Sequence, residues 1–563
     1  VDISCACGSS QCNKLIRWCL PFIFGLLAWH LPAQTDSLKY WIEFTDKAGN
    51  GYDLQHPEAF LSQRALDRRQ RQGIAVDWSD MPVTRAYVDS LRSLGFHILY
   101  TSRWFNAAAV STNDSLLISQ AGQYSFVKDT RQVARLRWEP GYQLRAKTIL
   151  QLPETGLDSF YGASWNQIHM LNGDYLHQLG YTGKGMVIAV IDAGFAGADT
   201  LEAFQRLHAR GQILGTRDFV DGDTIVYAHH THGMHVLSLM GGYLPGKLIG
   251  TAPDADFWLL RSEDGDSEML IEEHNWVAAA EFADSAGADI LSTSLGYFRF
   301  DDSLMNHTYA DMDGNTTFIT RAADKAASKG MLVVNSAGNE GNSSWQYIIA
   351  PADGDSVLTV GAVDANGQPA TFTSHGPTFD GRVKPNVAVQ GKNAIVASFN
   401  AEGIQAGNGT SFSCPILAGM AACLWQAFPD KSNMEIYHAI EQSADHYNNP
   451  DNFTGYGIPN FANALYLLDK GSFDFIPRNL SPVVYPNPFR DRVELFFYSP
   501  YEQHIIIRLF DPSGQLVWQK PFSINAQTYY SLSIGDLQRY ARGLYALVIQ
   551  SGDNFTVKKI IKQ

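Results

Sequence analysis

Cysteine is scarce where a disulfide framework would need it. Of the six in the chain, Cys5, Cys7, Cys12 and Cys19 fall before the first globular segment, which leaves only Cys414 and Cys423. Those two stand nine positions apart on one expected helix, roughly 13 Å along its axis and on opposite faces, so they cannot bridge. Positive charge is also short: the formal net charge is −15, which disfavours nucleic acid or an anionic membrane as the main partner. The one basic run, "RALDRRQRQ" from Arg64 to Gln72, reads as a solvated helix face. No apolar run is long enough to span a bilayer. The short apolar "WCLPFIFGLLAW" follows Lys14 and Arg17 and precedes "HLPAQ", the order of a secretory signal cut near Ala33. The chain opens on Val1, and its first dozen residues read as a misplaced start. There is no low-complexity segment, no convincing repeat, no HExxH metal motif and no G-x-S-x-G nucleophile elbow.

Three compositions follow one another instead. After the leader, "KYWIEF", "PVTRAYVDSLRSLG", "FHILYTS", "FNAAAVST", "DSLLISQAG" and "SFVKDT" alternate between strand and helix periods, which predicts a small ferredoxin-like α+β unit. A looser stretch containing "EPGYQL" and Pro153 reads as a linker, where a protease would cut. From "MVIAVID" onward, runs apolar on both faces ("ADILSTSLG", "MLVVNSAGN", "SVLTVGAVD") alternate with helices, the signature of a parallel sheet covered on both sides. In such sheets ligands bind beyond the carboxyl ends of the strands, where Asp192, Ser294 to Gly296 and Asn339 stand. Beyond about Asn479, short alternating strands and turn signals such as "DPSGQ" predict a β-sandwich.

The chemistry gathers at four places. Asp192 ends a buried strand in "VIDAGF", so its carboxylate needs a partner; alone it would be a turn residue. His232 lies in "HHTHGMHVLS", four histidines within seven residues, without carboxylates or cysteines at metal-site spacing. A histidine at a helix start suits a proton carrier, although by itself it would more often cap or pack. In "GNGTSFSCP", either Thr410 or Ser411 is an ordinary helix N-cap, or Ser411 is a hydroxyl exposed at a helix start and placed to react. A neutral hydroxyl needs a base, and that base needs a carboxylate to hold its tautomer, roles that His232 and Asp192 can fill. Asn339 in "NSAGNEG" offers an amide donor for a developing oxyanion beside the Ser411 N–H at a positive helix start, and its plainer role is a loop amide.

"VIDAGF", "HGMHVLS", "SLG", "SAGNEG" and "GTSFSCP", in that order, resemble the subtilisin-like serine peptidases (subtilases, S8). The resemblance covers about residues 160 to 470 and includes "TSHGP", "KPNVAVQG" and "GYGIPN". It implies Asp192 as orienter, His232 as general base and acid, Ser411 as nucleophile, Asn339 as oxyanion donor, and Ser294, Leu295 and Gly296 as the edge that pairs with an extended substrate. Met234 replaces the usual Thr, and "FSC" the usual "MAA", without removing a chemical role. The His232 motif separates the chain from sedolisin-like peptidases, which use a Glu base. The flanks resemble a subtilase propeptide and, through "YPNPF", "GLY" and "VKKIIK", the C-terminal sorting domain of type IX secretion.

The expected organisation is a signal peptide at 1–33, a ferredoxin-like propeptide at 34–135, a processing linker at 136–160, a subtilisin-like α/β catalytic domain at 161–475 with helices on both faces of a parallel sheet, and a β-sandwich sorting domain at 476–563. The expected activity is that of a secreted or surface-attached serine endopeptidase made as a zymogen. Its expected partners are polypeptide substrates, its own propeptide and the secretion machinery, with no nucleic acid and no transmembrane helix in the mature protein. No cofactor is required for the chemistry; "DMDGN", Asp311 to Asn315, leaves room for a structural calcium without fixing its ligands. The alternative is a catalytically silent surface adhesin on a peptidase scaffold.

Overall fold

The computed structural model describes residues 38–135, 160–469 and, apart from 486, 500–501, 526–527 and 553, 483–563. The expected signal peptide and, apart from Phe160, the expected processing linker lie outside the described residues.

The N-terminal unit runs β1 (Leu38–Phe44), α1 (Gln63–Gln72), α2 (Arg85–Leu94), β2 (His97–Ser102), β3 (Ala107–Thr112), α3 (Leu116–Ala121) and β4 (Val127–Arg135). The strands form an antiparallel sheet in the order β2-β3-β1-β4, the ferredoxin-like arrangement read from the sequence. Strand alternation divides its faces. Tyr40, Ile42, Phe44, Ala108 and Val110 pack beneath α2 and α3, while Trp41, Ala107, Ala109 and Val133 face the next unit.

That next unit is a parallel sheet of seven strands. In chain order they are β5 (Val187–Asp192), β6 (Ile213–Asp218), β7 (Asp256–Arg261), β8 (Ile290–Thr293), β9 (Leu332–Ser336), β10 (Val357–Val363) and β11 (Val387–Gln390). In space the order is β11-β10-β9-β8-β5-β7-β6. The chain builds outward from β5 to one side and returns to build from β8 on the other, so β5 and β8 flank the switch point. Every residue of β5 is buried, as a strand covered on both faces requires. Helices α4 (His232–Gly241) and α7 (Thr410–Ala427) join the core on one face; α5 (Ile271–Ala286) and α6 (Phe318–Ser328) cover the other.

The N-terminal sheet docks on α5 and α6, where Trp41, Trp104 and Val133 share a core with Trp276, Phe318 and Ile319. Here the sequence reading of the basic run is overturned. Arg68 and Arg69 are 0% and 1% exposed, not solvated. Both guanidiniums converge on Asp284 of α5, joined by Arg103 at 2.6 Å, and Arg69 also reaches Asp80 at 2.8 Å. Of the two carboxylates that make burial tolerable, Asp80 lies on a separate element and Asp284 more than two hundred residues away, which a local charge pattern cannot reveal. Burial opposes the Asp284 charge, yet Arg103, Arg68 and Arg69 outweigh it and hold its carboxyl down at about 2.

The C-terminal segment folds as a sandwich of a three-stranded and a four-stranded sheet. Alternate residues such as Ile505, Ile507 and Leu509 turn inward with Leu547, Ile549, Val493 and Leu495 to make its core. Among the described residues no helix is long and apolar enough to cross a membrane.

Candidate active site at the carboxyl edge of the sheet

Asp192 is the last residue of β5 and wholly buried. Its Oδ1 accepts the Ala193 N–H at 2.8 Å, which turns the carboxylate toward the start of α4. There His232 Nδ1 lies 2.8 Å from Oδ1 and 3.0 Å from Oδ2. A hydrogen bond to a buried carboxylate fixes Nδ1 as the protonated nitrogen and leaves Nε2 as the base. The two elements can meet because both turns carry glycine. Gly233 N donates to Gly194 O at 2.9 Å, and a Cβ on Gly233 would sit 2.5 Å from that oxygen.

Ser411 is the second residue of α7, on the turn that begins with Gly409 (φ +154°). The sequence suggests an exposed nucleophile, but the residue is only 5% exposed. It lies in the floor of the site: the His232 ring stands over Phe412 with centroids 6.3 Å apart, and the Ser294 hydroxyl donates to the Ser411 carbonyl at 2.9 Å. That bond ties the Ser294–Gly296 segment to the α7 turn. Asn335 Nδ2 steadies the same segment by donating to Leu295 O at 3.1 Å.

Asn339 is exposed on the loop after β9, and its Oδ1 accepts the Thr410 N–H at 2.9 Å. The amide orientation is thereby settled, because the oxygen is tied to α7 and the NH2 is left to donate. Thr410 also links its hydroxyl to Gly338, accepting from N at 3.2 Å and lying 3.1 Å from O. The sequence reading treats Thr410 as an ordinary cap candidate, whereas it couples the Asn339 loop to the Ser411 turn. Its position immediately before Ser411 was the available signal.

The surroundings are strongly electrostatic. Ser262 N donates to the Asp192 carbonyl at 3.1 Å, and the adjoining Glu263 accepts from Tyr297 OH at 2.6 Å, just beyond the Ser294–Gly296 segment. Burial pushes the Glu263 carboxyl up to about 7, with Ser262 and Tyr297 opposing the shift and the Asp192 charge adding to it. Burial likewise pushes the Cys414 thiol to about 12, so it packs as an apolar group. Met234 is fully buried in the core behind His232.

Two trios among the described residues could converge on a metal ion, Asp218–Asp221–His229 and Glu263–Glu268–Glu272. The first is filled by the Arg261 guanidinium, 2.7 Å from both carboxylates. In the second, Glu272 spends its oxygens on the Asp264 and Met269 N–H groups. Asp311 and Asp313 of "DMDGN" bond the backbone of their own turns, to Thr308 and to Asn315 and Thr316.

Fold and cluster together define a class, the α/β proteins that work at the carboxyl edge of a parallel sheet around its switch point. Comparison with known proteins narrows the class. The subtilase family (peptidase S8) matches residues 183–457, a Bacteroidota S8 propeptide domain matches 39–147, and a secretion-system C-terminal sorting domain matches 483–563. The serine protease AprX of Bacillus subtilis is 31% identical over 340 residues, 55% of this chain and 71% of the relative. Subtilisin E, also of Bacillus subtilis, is 29% identical over 286 residues, 50% of this chain and 66% of its own length. MycP1 from Mycobacterium smegmatis shows a loose likeness of fold, with a TM-score of 0.42 and 23% identity over 57% of this chain and 88% of that one. The chain belongs to the subtilase family. With its propeptide and its sorting domain, it is a serine protease built for secretion or attachment to the cell surface.

Proposed function

We propose that the protein is a secreted endopeptidase that hydrolyses peptide bonds through an acyl-enzyme, made as a zymogen whose processing linker, residues 136–160, is cut to free the catalytic domain. Ser411 Oγ attacks the scissile carbonyl while His232 Nε2 takes its proton; Asp192 holds the imidazole and stabilises the resulting cation. The tetrahedral oxyanion is met by the Asn339 side-chain NH2 and the Ser411 N–H at the positive end of α7. His232 then returns the proton to the leaving amine, and water repeats the sequence to release the acid. Ser294, Leu295 and Gly296 align the substrate backbone as an added strand. The chemistry needs no cofactor, and any structural calcium serves stability alone. Polypeptides are the substrates, the propeptide is the internal partner, and the sorting domain engages the secretion machinery.

The observation that carries this reading is the tether of Asn339 Oδ1 to Thr410 N–H beside the Asp192–His232 pair. It turns an amide donor outward next to Ser411, where a developing oxyanion would need one. The test is the intact mass of purified full chain, wild type beside Ser411→Ala, after incubation at neutral pH. Loss of the N-terminal unit by a cut within 136–160 in wild type alone supports the proposal. If both stay whole and wild type fails to react with a fluorophosphonate, the silent-adhesin reading replaces it.

A further inference from the structure

The helix that presents His232 begins abruptly, and what satisfies its first N–H groups determines where that imidazole sits. The N-cap residue Thr231 makes no side-chain capping bond and has a helical backbone (φ −82°, ψ −6°), unlike the extended Ser, Thr or Asp that usually does this work. Gly233 N–H is taken by the Gly194 carbonyl and His235 N–H by the Thr231 carbonyl. The N–H of His232 itself donates to Nδ1 of His230 at 3.1 Å. An imidazole thus occupies the place of a capping oxygen, two residues before the group it caps, as an Asn side chain does in an Asx turn. The backbone of His230 is pinned as well. Ala196 N donates to its carbonyl at 3.2 Å, and the missing Cβ of Gly194 lets its N–H approach, since a Cβ there would lie 2.6 Å away.

Resting on the peptidase reading above, we propose that His230 is a positioning residue for His232, and that its ring must be neutral for the enzyme to work at its full rate. Nδ1 accepts a hydrogen bond only while the His230 proton resides on Nε2. Adding a second proton turns Nδ1 into a donor facing a donor, and the first turn of α4 loses its cap. The His232 backbone then shifts while Asp192 stays fixed in the sheet, and the base leaves its productive geometry. Acid therefore weakens the site through this cap, without touching the reacting atoms.

Among the described residues, the titratable and charged groups near His230 include His232, whose ring centroid is 6.3 Å away; Asp192 on β5, reached through His232; and the adjacent His229. His229 Nε2 lies 3.6 Å from Asp218 and 3.7 Å from Asp221, on the cluster built around Arg261. Glu263 also titrates near neutrality, but not through this cap, so its effect is common to all variants at residue 230. The difference between variants isolates the cap.

The experiment is the pH profile of kcat/KM on a peptide substrate for the processed wild type, His230→Ala and His230→Asn. Asn places Oδ1 where Nδ1 stood but does not titrate. Removing the cap in His230→Ala lowers kcat about tenfold at neutral pH with KM within about twofold, as a cap of about 1.4 kcal/mol implies. His230→Asn restores most of that loss. On the acid side, the ratio of wild-type to His230→Asn kcat/KM falls about tenfold between neutral and acid pH, the loss that removal of the cap sets. A ratio that does not change with pH overturns the proposal, as does wild-type kcat in His230→Ala. If His230→Ala does not fold, the pH dependence of the ratio to His230→Asn decides alone. A wild type without peptidase activity refutes the underlying reading instead, and fluorophosphonate labelling of Ser411 separates the two failures.

Discussion

Replacing Asp284 by Asn removes one charge from a deeply buried ionic cluster. In the docked state the Arg68 and Arg69 side chains are 0% and 1% exposed and that of Arg103 is 11% exposed, so solvent screens them little. The guanidiniums would remain buried without their shared anion, and breaking a buried pair from one side costs about 3–5 kcal/mol. Undocking returns them to water, so nearly all of that cost appears as weaker docking of the propeptide, roughly 10²- to 10⁴-fold. Three amides report on the interface directly. Ser62 N donates to Ser285 O at 3.0 Å, and Arg103 and Trp104 N donate to the Glu281 carboxylate at 2.8 and 3.2 Å. In full-length Ser411→Ala, which removes the complication of processing, the Asp284→Asn change should accelerate hydrogen exchange at these amides by that factor. Amides of β5 and β8 should be unaffected. Exchange within about threefold of the parent at all three would refute the electrostatic account. Arg68→Met with Asp284→Leu should recover only the part of the protection owed to Arg68, since Arg69 and Arg103 still lose the shared anion.

The same amides test a pH effect at His274, sealed between Trp41 at 4.7 Å and Phe318 at 4.4 Å, its Nδ1 bonded to Leu270 O and its pKa pushed to about 3 by burial. Undocking exposes it to an ordinary value of about 6.5, so the docked form binds fewer protons: docking is unaffected above that value and weakens as pH falls below it. Between pH 7.5 and 5 the loss is about 30-fold, absent in His274→Phe, and equal pH slopes of intrinsic-rate-corrected exchange in the two forms would contradict this. Asn339→Ala should lower kcat about 10²- to 10³-fold with little change in KM, the range established for that donor in subtilisin; a loss below threefold in steady-state kinetics would remove Asn339 from the oxyanion site. Incubation of processed enzyme with EDTA should leave the initial rate of peptide hydrolysis unchanged, and an immediate loss restored by metal would show that the chemistry needs an ion.

How much of this could be read from the chain differs from residue to residue. Asp192 and His232 were legible because a buried strand ending in a carboxylate and a histidine opening a helix each carry a local signature, and the structure joins them at 2.8 Å. The parallel sheet was legible because strands covered on both faces must be apolar throughout. The ferredoxin-like unit was legible from its alternating periods. Ser411 was placed at the right turn but expected to be exposed, since its burial is imposed by Phe412, Ser294 and the His232 helix, all distant in sequence except the first. Arg68 and Arg69 were misjudged for the same reason. Nothing near them in the chain announces Asp284, and a charged helix face looks alike whether water or a carboxylate receives it.

Helix α5 carries a consequence for the life history of the molecule. Thirteen of its sixteen residues are buried, so it has no face of its own for solvent: the sheet holds one side and the N-terminal unit the other. β5 and β8, which that helix helps to bridge, pair residues about a hundred positions apart, and such pairing is slow to find by chance. The N-terminal unit emerges earlier from the ribosome and closes through the short β2–β3 hairpin. It therefore offers a finished surface against which a helix with little amphipathic guidance can settle. When that surface is cut away, the template is gone while the shape remains. An enzyme made this way would keep its structure by the height of the barrier to losing it, and a molecule that once unfolds would have no ready route back.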